Sequence, residues 1–321
     1  TLANDAAAKL LGLEEPPLGR RLEEVIPVPG LSELVEQAEG EQLSKEFKSR
    51  QPVKRWLQVT AAPLNEDGRV VVLHDMTTMR KLEGMRRNFV ANVSHELRTP
   101  VSIIRANTET LLDGAMEEPK AARTFLEAVL RHTERLARII SDLLDISRVE
   151  AGRYHFELET LEVSKMAERA VELMSESAER KQVTVKVEVD EGVEVHADSG
   201  ALEQVLFNLL ENAIKYTPEG GTVRIRAHPH RLPGYSEVEV IDDGGGIPQK
   251  HRSRLFERFY RVDRGRSRDM GGTGLGLAIV KHLCEALGGQ VGMRPAEPHG
   301  SNFWVSLPSE PLPELPDPDE S

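Results

Sequence analysis

The sequence predicts a multidomain α+β protein of three unlike parts: a small α+β module, a long helical hairpin, and an α/β sandwich. Three observations lead there. The 321 residues are enough for two or three separate cores. The apolar spacing changes twice along the chain, from short mixed signals before about residue 75, to sustained 3-4 spacing, to alternating strands interleaved with amphipathic helices after about residue 153. Finally, the last residues, from Ser309 to Ser321, are acidic and proline-rich and are expected to be a disordered tail.

In residues 1–75, Asn4-Asp5 ahead of Ala6, Ala7, Ala8, Leu10 and Leu11 reads as an N-cap and a short helix closed by Gly12. Arg55 to Thr60 alternates like a half-buried strand, Asn65-Glu66-Asp67-Gly68 supplies turn chemistry, and Arg69 to His74 returns. A helix and closing hairpin that feed straight into a long helix resemble the second half of a PAS sensor domain, with the opening strands mostly missing. The chain starts at Thr1 and shows no charged-then-apolar leader, so it is expected to be a fragment or processed product cut inside that module. No cysteine precedes Cys284, which excludes a flavin-cysteinyl photosensor in this stretch, and one histidine, His74, gives little support for haem.

Residues 76–152 are expected to form the hairpin. Met79, Leu82, Phe89 and Val93 follow 3-4 spacing with Arg86 between them, and Val101, Ile104, Thr108 and Leu111 resume it beyond Pro100. A second stripe runs through Phe125, Val129, His132, Leu136, Ile139, Leu143 and Ile146. A helix of about 40 residues extends about 60 Å and needs a partner along its length. One hairpin covers only one side of each stripe, so dimerisation into a four-helix bundle is expected, with a two-helix arm packed on its neighbours as the alternative. In residues 153–308, helices are predicted at Ser164–Arg180, Asp198–Tyr216 and Gly274–Leu287, and strands at Val183–Val189, Val193–Ala197, Thr222–Ala227, Glu237–Ile241, Gln290–Met293 and Asn302–Leu307.

Composition narrows the partners. With 41 Lys+Arg against 53 Asp+Glu and a net charge of -12, a broad duplex nucleic-acid surface is excluded, because such binding neutralises phosphates with excess basic residues. No basic residue follows Arg294, so the tail carries part of that charge. Cys284 cannot form an internal disulfide, which suits a reducing compartment; its apolar neighbours Ile279, Leu283 and Leu287 mark a buried structural thiol. No apolar run approaches the roughly 18 to 20 residues that span a bilayer.

The first chemical constellation is Phe89-Val-Ala-Asn-Val-Ser-His95-Glu96-Leu-Arg-Thr99-Pro100. On a helix His95 and Thr99 share a face while Glu96 lies about 100° away. An imidazole accepts a phosphoryl group when one ring nitrogen is neutral and the other is held by a base, and Glu96 can be that base. Pro100 removes a backbone donor just beyond, where a kink is expected. Taken alone, a His-Glu pair is more often a solvated surface pair than a catalytic centre. The whole uninterrupted string, however, resembles the phosphoacceptor box of sensor histidine kinases.

The second constellation calls for a nucleotide. Asn208, Glu211, Asn212 and Lys215 form a polar stripe on a helix whose other face is apolar, and hard oxygen ligands with a lysine suit Mg²⁺-bridged phosphates. Alone, that stripe is an ordinary exposed face. Asp242-Asp243-Gly244-Gly245-Gly246 then ends a strand with acids and glycines that allow close approach to a planar base, and Gly271-Gly272-Thr273-Gly274-Leu275-Gly276 opens a helix, where backbone N–H groups bind phosphate. With Phe256 to Phe259 between them, these motifs resemble, in order and spacing, the N, G1, F and G2 boxes of the histidine-kinase ATP-binding domain, a fold shared with Hsp90, gyrase and MutL ATPases.

The resemblance implies a sensor protein histidine kinase of a two-component system, in which ATP phosphorylates His95 and the group passes to an aspartate on the receiver domain of a cognate response regulator. It implies that Asp242 accepts from the adenine amino group, with Gly244 and Gly246 beside it. Asn208 would ligate Mg²⁺ through the phosphates, and Asn212, Lys215 and Tyr216 would lie along phosphates and ribose. Gly272, Thr273, Gly274, Leu275 and Gly276 would wrap the phosphates, Arg261 would reach the γ-phosphate, and the basic stretch from Tyr260 to Met270 would be a lid. Glu96 would orient and deprotonate His95, and Thr99 would position water for dephosphorylating the regulator. Asp243 departs from the family's usual Asn and adds negative charge beside the nucleotide. The module order looks most like the phosphate-regulon sensor kinases, and implies a homodimer at the cytoplasmic side of a membrane, attached only through a segment absent from this chain. Two other readings are an Hsp90-like ATPase whose cycle drives conformational change, against which the phosphoacceptor box speaks, and a signalling scaffold in which ATP is structural, which turnover would exclude.

Overall fold

Alternating burial in β2 (Arg55–Pro63) organises the N-terminal unit. Its Leu57, Val59 and Ala61 are fully buried while the residues between them are not. β2 is the centre of a three-stranded antiparallel sheet, flanked by β1 (Leu43–Ser49) and β3 (Arg69–Asp75). Three short helices, α1 (Asp5–Leu11), α2 (Leu22–Val25) and α3 (Leu31–Gln37), contribute Leu11, Val25, Ile26, Leu31 and Leu34 to the same core. The computed structural model describes residues 4–11, 13, 19–26, 28–38, 41–49, 54–64, 68–262 and 272–311, in two units divided at Ala91. The expected helix and hairpin are present; β1, α2 and α3 were not anticipated, because Leu43–Ser49 carries Ser, Lys and Glu on one side and each helix spans only one or two turns. Gly12 and the turn at residues 65–67 lie outside the described residues.

Asp75 ends β3 and starts the hairpin: its Oδ2 accepts from Arg55 at 2.6 Å, and its Oδ1 accepts from the Thr77 N–H at 2.9 Å. α4 (Thr77–Leu112) then runs 36 residues and α5 (Pro119–Glu150) 32, joined by a single 3₁₀ turn at Ala115–Glu117. Pro119 opens α5 where a missing N–H costs nothing. α4 continues as one helix through Pro100, which is buried; the expected kink does not break it. Of the predicted stripe, Leu111, Ile139 and Ile146 are buried, whereas Met79, Leu82 and Val101 are exposed, as are Leu112, Leu126, Leu130, Ile140 and Leu144. The hairpin covers one seam and leaves an apolar strip in the open.

The remaining chain forms a five-stranded sheet of order β5-β7-β8-β10-β9, with β5 (Thr184–Val189) parallel to β7 (Thr222–Pro229) and β8 (Tyr235–Asp242), β10 (Ser301–Pro308) and β9 (Gln290–Pro295) antiparallel. α6 (Val163–Arg180), α7 (Ser199–Tyr216) and α9 (Gly276–Ala286) cover one face, on which Val223, Ile225, Val238, Val240, Val305 and Leu307 point inward; α8 (Gln249–Arg252) is a single turn. Each predicted strand and helix here is found within a few residues. One strand was missed: β4 (Leu158–Glu162), which pairs with β6 (Glu194–Asp198) and has a mostly exposed pattern with no apolar alternation. Cys284 is fully buried in α9, and burial pushes its thiol far above the usual range, as a structural residue requires.

Candidate active site

α7 positions the first part of the nucleotide site. Asp198 caps it by accepting from the Ala201 N–H at 2.8 Å, and Leu202, Val205, Leu206 and Leu209 anchor it in the core. That fixes Asn208, whose side chain is buried and whose Nδ2 has no hydrogen-bond partner among the described residues. Gly276, at the start of α9, sits so close that a Cβ there would lie 2.9 Å from Asn208 Oδ1. Asn212, one turn on, donates from Nδ2 to the Asn208 carbonyl at 2.9 Å. Lys215 Nζ stands 5.6 Å from the centre of the half-exposed Tyr216 ring. Burial, and then the nearby guanidiniums of Arg261, Arg135 and Arg138, depress the Lys215 pKa despite Glu211. So many cations around a buried amide without a partner suit a polyanion.

Asp242, at the end of β8, is 3% exposed; its Oδ1 accepts from the Gly244 N–H at 2.8 Å and the Ser301 N–H at 3.2 Å. Burial raises its pKa, opposed by those amides. Gly246 packs against the Gly300 carbonyl. Asp243 is not a loose charge beside this site: it pairs with Arg224 at 3.1 Å and accepts from the Thr222 N–H at 3.1 Å, so the sheet neutralises the residue that departs from the family pattern. Gly274, at φ +75°, accepts at its carbonyl from the Phe259 N–H at 2.7 Å, locking the F-box turn onto the glycine-rich loop. Thr273 accepts from the Leu275 N–H at 3.2 Å, and Arg261 donates to the Gly272 carbonyl. Residues 263–271 of the expected lid, and the tail from residue 312, lie outside the described residues.

His95 is exposed on α4, and the Thr99 hydroxyl donates back to the His95 carbonyl at 3.2 Å, placing the two one turn apart on one face. Glu96 is engaged elsewhere: its Oε2 accepts from Arg135 at 3.0 Å and lies 3.5 Å from Arg261, with no hydrogen bond to His95 among the described residues. The arginine expected at the γ-phosphate, 8% exposed along its side chain, therefore reaches the carboxylate that follows His95 in sequence. The nucleotide motifs and the phosphoacceptor box meet.

Further contacts, unread in the sequence, hold them together. Asp142 Oδ2 on α5 accepts from the Thr273 hydroxyl at 3.0 Å; Glu150 pairs with Arg258 and lies 3.7 Å from His282; Arg138 lies 3.7 Å from Glu211. Between them Ile146 enters the sandwich core with Leu143 and Val149 beside it. The signal was present only as polar residues flanking an apolar stripe, which any solvated helix shows. Burial raises the Asp142 pKa to about 6, with Asp145 and Glu211 adding to the rise while Thr273 and Arg138 oppose it. An acid whose pKa is raised on burial stabilises the buried arrangement most below its free value of 3.8, and that stabilisation is lost as pH rises through about 6. Asp142→Asn is expected to raise thermal stability at pH 7.5 by on the order of 1–3 kcal/mol and to match the parent below about pH 4. Identical curves at both pH values would show that the charge is not felt.

Comparison with known proteins agrees with this geometry. Residues 85–152 match the His Kinase A (phospho-acceptor) domain, and residues 197–311 match the histidine kinase-, DNA gyrase B-, and HSP90-like ATPase family. The sensor histidine kinase WalK of Bacillus subtilis is 37% identical over 242 residues, covering 75% of this chain and 40% of that protein. The sensor-like histidine kinase SenX3 of Mycolicibacterium smegmatis is 38% identical over 254 residues, covering 78% of this chain and 65% of that protein. The chain thus spans less than two thirds of the length of either relative. The crystal structure of histidine kinase ThkA in complex with response regulator protein TrrA shares the fold over 97% of this chain and 92% of that one, at TM-score 0.56 and 21% identity. In sequence, and joined by the contacts of Glu96, Asp142 and Glu150, the chain thus carries the phosphoacceptor and ATPase domains of a protein histidine kinase.

Proposed function

We propose that this chain phosphorylates itself on His95 from ATP and passes the phosphoryl group to an aspartate in the receiver domain of a response regulator. The observation that supports the reading is the meeting of Arg261, the arginine proposed for the γ-phosphate, with Glu96, the residue that follows His95. When bound, Mg·ATP supplies the electrophilic γ-phosphoryl group and the charge screening of the metal. Asn208 is the residue to hold Mg²⁺, through its Oδ1, with its unpartnered buried Nδ2 available to donate to a phosphate oxygen, and Asp242 the one to accept from adenine. Asn212, Lys215 and Tyr216 line phosphates and ribose from α7, and Gly272 to Gly276 supply backbone N–H groups at the opening of α9.

Transfer forms a bond from a ring nitrogen of His95 to phosphorus and breaks the bond to the β-phosphate oxygen. The ring proton goes to Glu96, which requires Arg261 to leave that carboxylate for the phosphates. The exposure of His95 leaves room for both the phosphodonor and, afterwards, a receiver domain. The apolar strip left open on α4 and α5 supports a homodimeric four-helix bundle. The β1-β2-β3 sheet with its helices supports a PAS-type sensor module, and the module order supports a place among phosphate-regulon sensors, with phosphate supply as the signal and a membrane anchor outside this chain.

Phosphorylated protein incubated with a panel of receiver domains is expected to transfer its label to one of them within minutes and to the others far more slowly. Uniformly slow transfer would contradict the phosphotransfer reading. Thr99, one turn from His95, is the residue proposed to position water against the phosphorylated regulator. Thr99→Ala is therefore expected to slow regulator dephosphorylation by about 10- to 100-fold while self-phosphorylation stays within a factor of a few. Equal loss of both activities would remove Thr99 from that role.

A further inference from the structure

The face of the five-stranded sheet turned away from α6, α7 and α9 carries a polar cluster that the kinase chemistry does not use. Alternation puts Arg224, Arg226 and His228 of β7, Glu237 and Glu239 of β8, Asn302 and Trp304 of β10, and Arg294 of β9 on that side. His228 stands directly opposite Glu237, and Trp304 opposite Glu239. Both glutamate side chains are only 7% exposed although they point away from the helices. Arg294 donates to both of them, at 2.6 Å to Glu237, and the Trp304 ring lies over Gly292 beside it. Two buried carboxylates thus share one permanent cation. Glu239 remains ionised: burial raises its pKa, but Asn302, donating at 2.6 Å, and Arg294 hold it below the usual carboxylate range.

The two histidines differ in what their rings present. His230 Nδ1 accepts from the Leu232 N–H at 3.0 Å, so its neutral ring carries the proton on Nε2, 3.5 Å from Glu237 Oε2. His228 is the reverse. Its Nδ1 lies 3.1 Å from the Pro229 carbonyl, which can only accept, so its neutral ring directs the Nε2 lone pair at Glu239 Oε2, 3.6 Å away, and Glu237 Oε1, 3.9 Å away. A lone pair facing two carboxylate oxygens at these distances is met by a cation, either a proton on Nε2 or a metal ion held between the three atoms. An imidazole whose far nitrogen donates to a backbone carbonyl is also oriented as metal-bound histidines are. Asn302, 8% exposed and with its amide on Glu239, has a buried Oδ1 with no hydrogen-bond partner among the described residues.

We propose that His228, Glu237 and Glu239 form a divalent-cation site on the outward face of the sheet, with Zn²⁺ the ion whose ligand preferences it fits. Zinc bonds to imidazole nitrogen and carboxylate oxygen are about 2.0–2.2 Å, which sets tetrahedral ligand atoms about 3.4 Å apart. The three atoms lie within 4.8 Å of one another, so small rotations close the shell, with water or Asn302 as the fourth ligand. His228 is the accessible member, 41% exposed along its side chain, and is the side from which an ion enters. His230 supports Glu237 from outside the shell, and Arg294 competes with the ion for the same oxygens.

The untagged full chain, stripped with chelator and free of nucleotide, is titrated with Zn²⁺ by calorimetry, alongside thermal unfolding with and without the ion. One Zn²⁺ per chain with a rise in Tm is expected. His228→Ala and Glu239→Gln should each weaken binding by at least about tenfold, and Arg294→Met should tighten it by removing the competing charge. No binding by the parent, or unchanged binding in both His228→Ala and Glu239→Gln, would overturn the site and leave the cluster a salt-bridge network. Weakening in Arg294→Met would likewise contradict the competition on which the site rests.

Discussion

Asp242→Asn is expected to weaken ATP binding by about 30- to 150-fold, equivalent to about 2–3 kcal/mol, while leaving the ATP-binding domain folded. The asparagine oxygen can still accept from the Gly244 and Ser301 N–H groups that now meet Asp242 Oδ1, so the loop between β8 and α8 keeps its anchor. What changes is the group turned toward the base: an amide N–H₂ replaces a carboxylate oxygen and meets the adenine amino group donor to donor, in a setting where Asp242 is already 3% exposed and water cannot intervene. Titration with a fluorescent ATP analogue, with thermal unfolding as the control for folding, measures both halves. Unchanged affinity in a folded variant would place adenine recognition elsewhere.

His95→Gln is the second large effect, and it falls on the other side of the site. Because His95 is exposed on α4, the variant should bind nucleotide as the parent does. Its self-phosphorylation should fall to background, a loss of at least 10³-fold, because glutamine offers no nucleophilic ring nitrogen. Together the two variants separate recognition from chemistry: one loses the nucleotide and keeps the acceptor, the other the reverse.

Much of this was legible because it rests on local periodicity. The two long helices follow from stripes of 3-4 spacing, and β5, β7, β8 and β10 from alternation, which is why their bounds agree within a few residues. The residues proposed for the nucleotide were legible as motifs, since Asn208, Asp242 and Gly274 sit in strings whose order and spacing resemble one kind of site. What stayed hidden depends on distant parts of the chain. β4 is an exposed edge paired only with β6, so its sequence carries no buried alternation. β1 has Ser, Lys and Glu outside and only Phe47 among its apolar residues buried. Asp142 and Glu150 look like solvated helix polar groups until α5 meets Thr273, Arg258 and His282 of the sandwich. That Glu96 faces Arg135 and Arg261 in this structure, rather than His95, depends on residues far along the chain. Asp243 shows the same limit, since its charge is cancelled by Arg224 from the neighbouring strand.

The destination of the phosphoryl group is the most direct test of phosphotransfer through His95. Incubation of the full chain with γ-labelled ATP and Mg²⁺, followed by acid and alkali treatment and by the same assay on His95→Gln, measures that. Label that survives alkali, is lost in acid and is absent from the variant is the predicted result. Acid-stable label, or label retained by His95→Gln, would contradict phosphotransfer through His95.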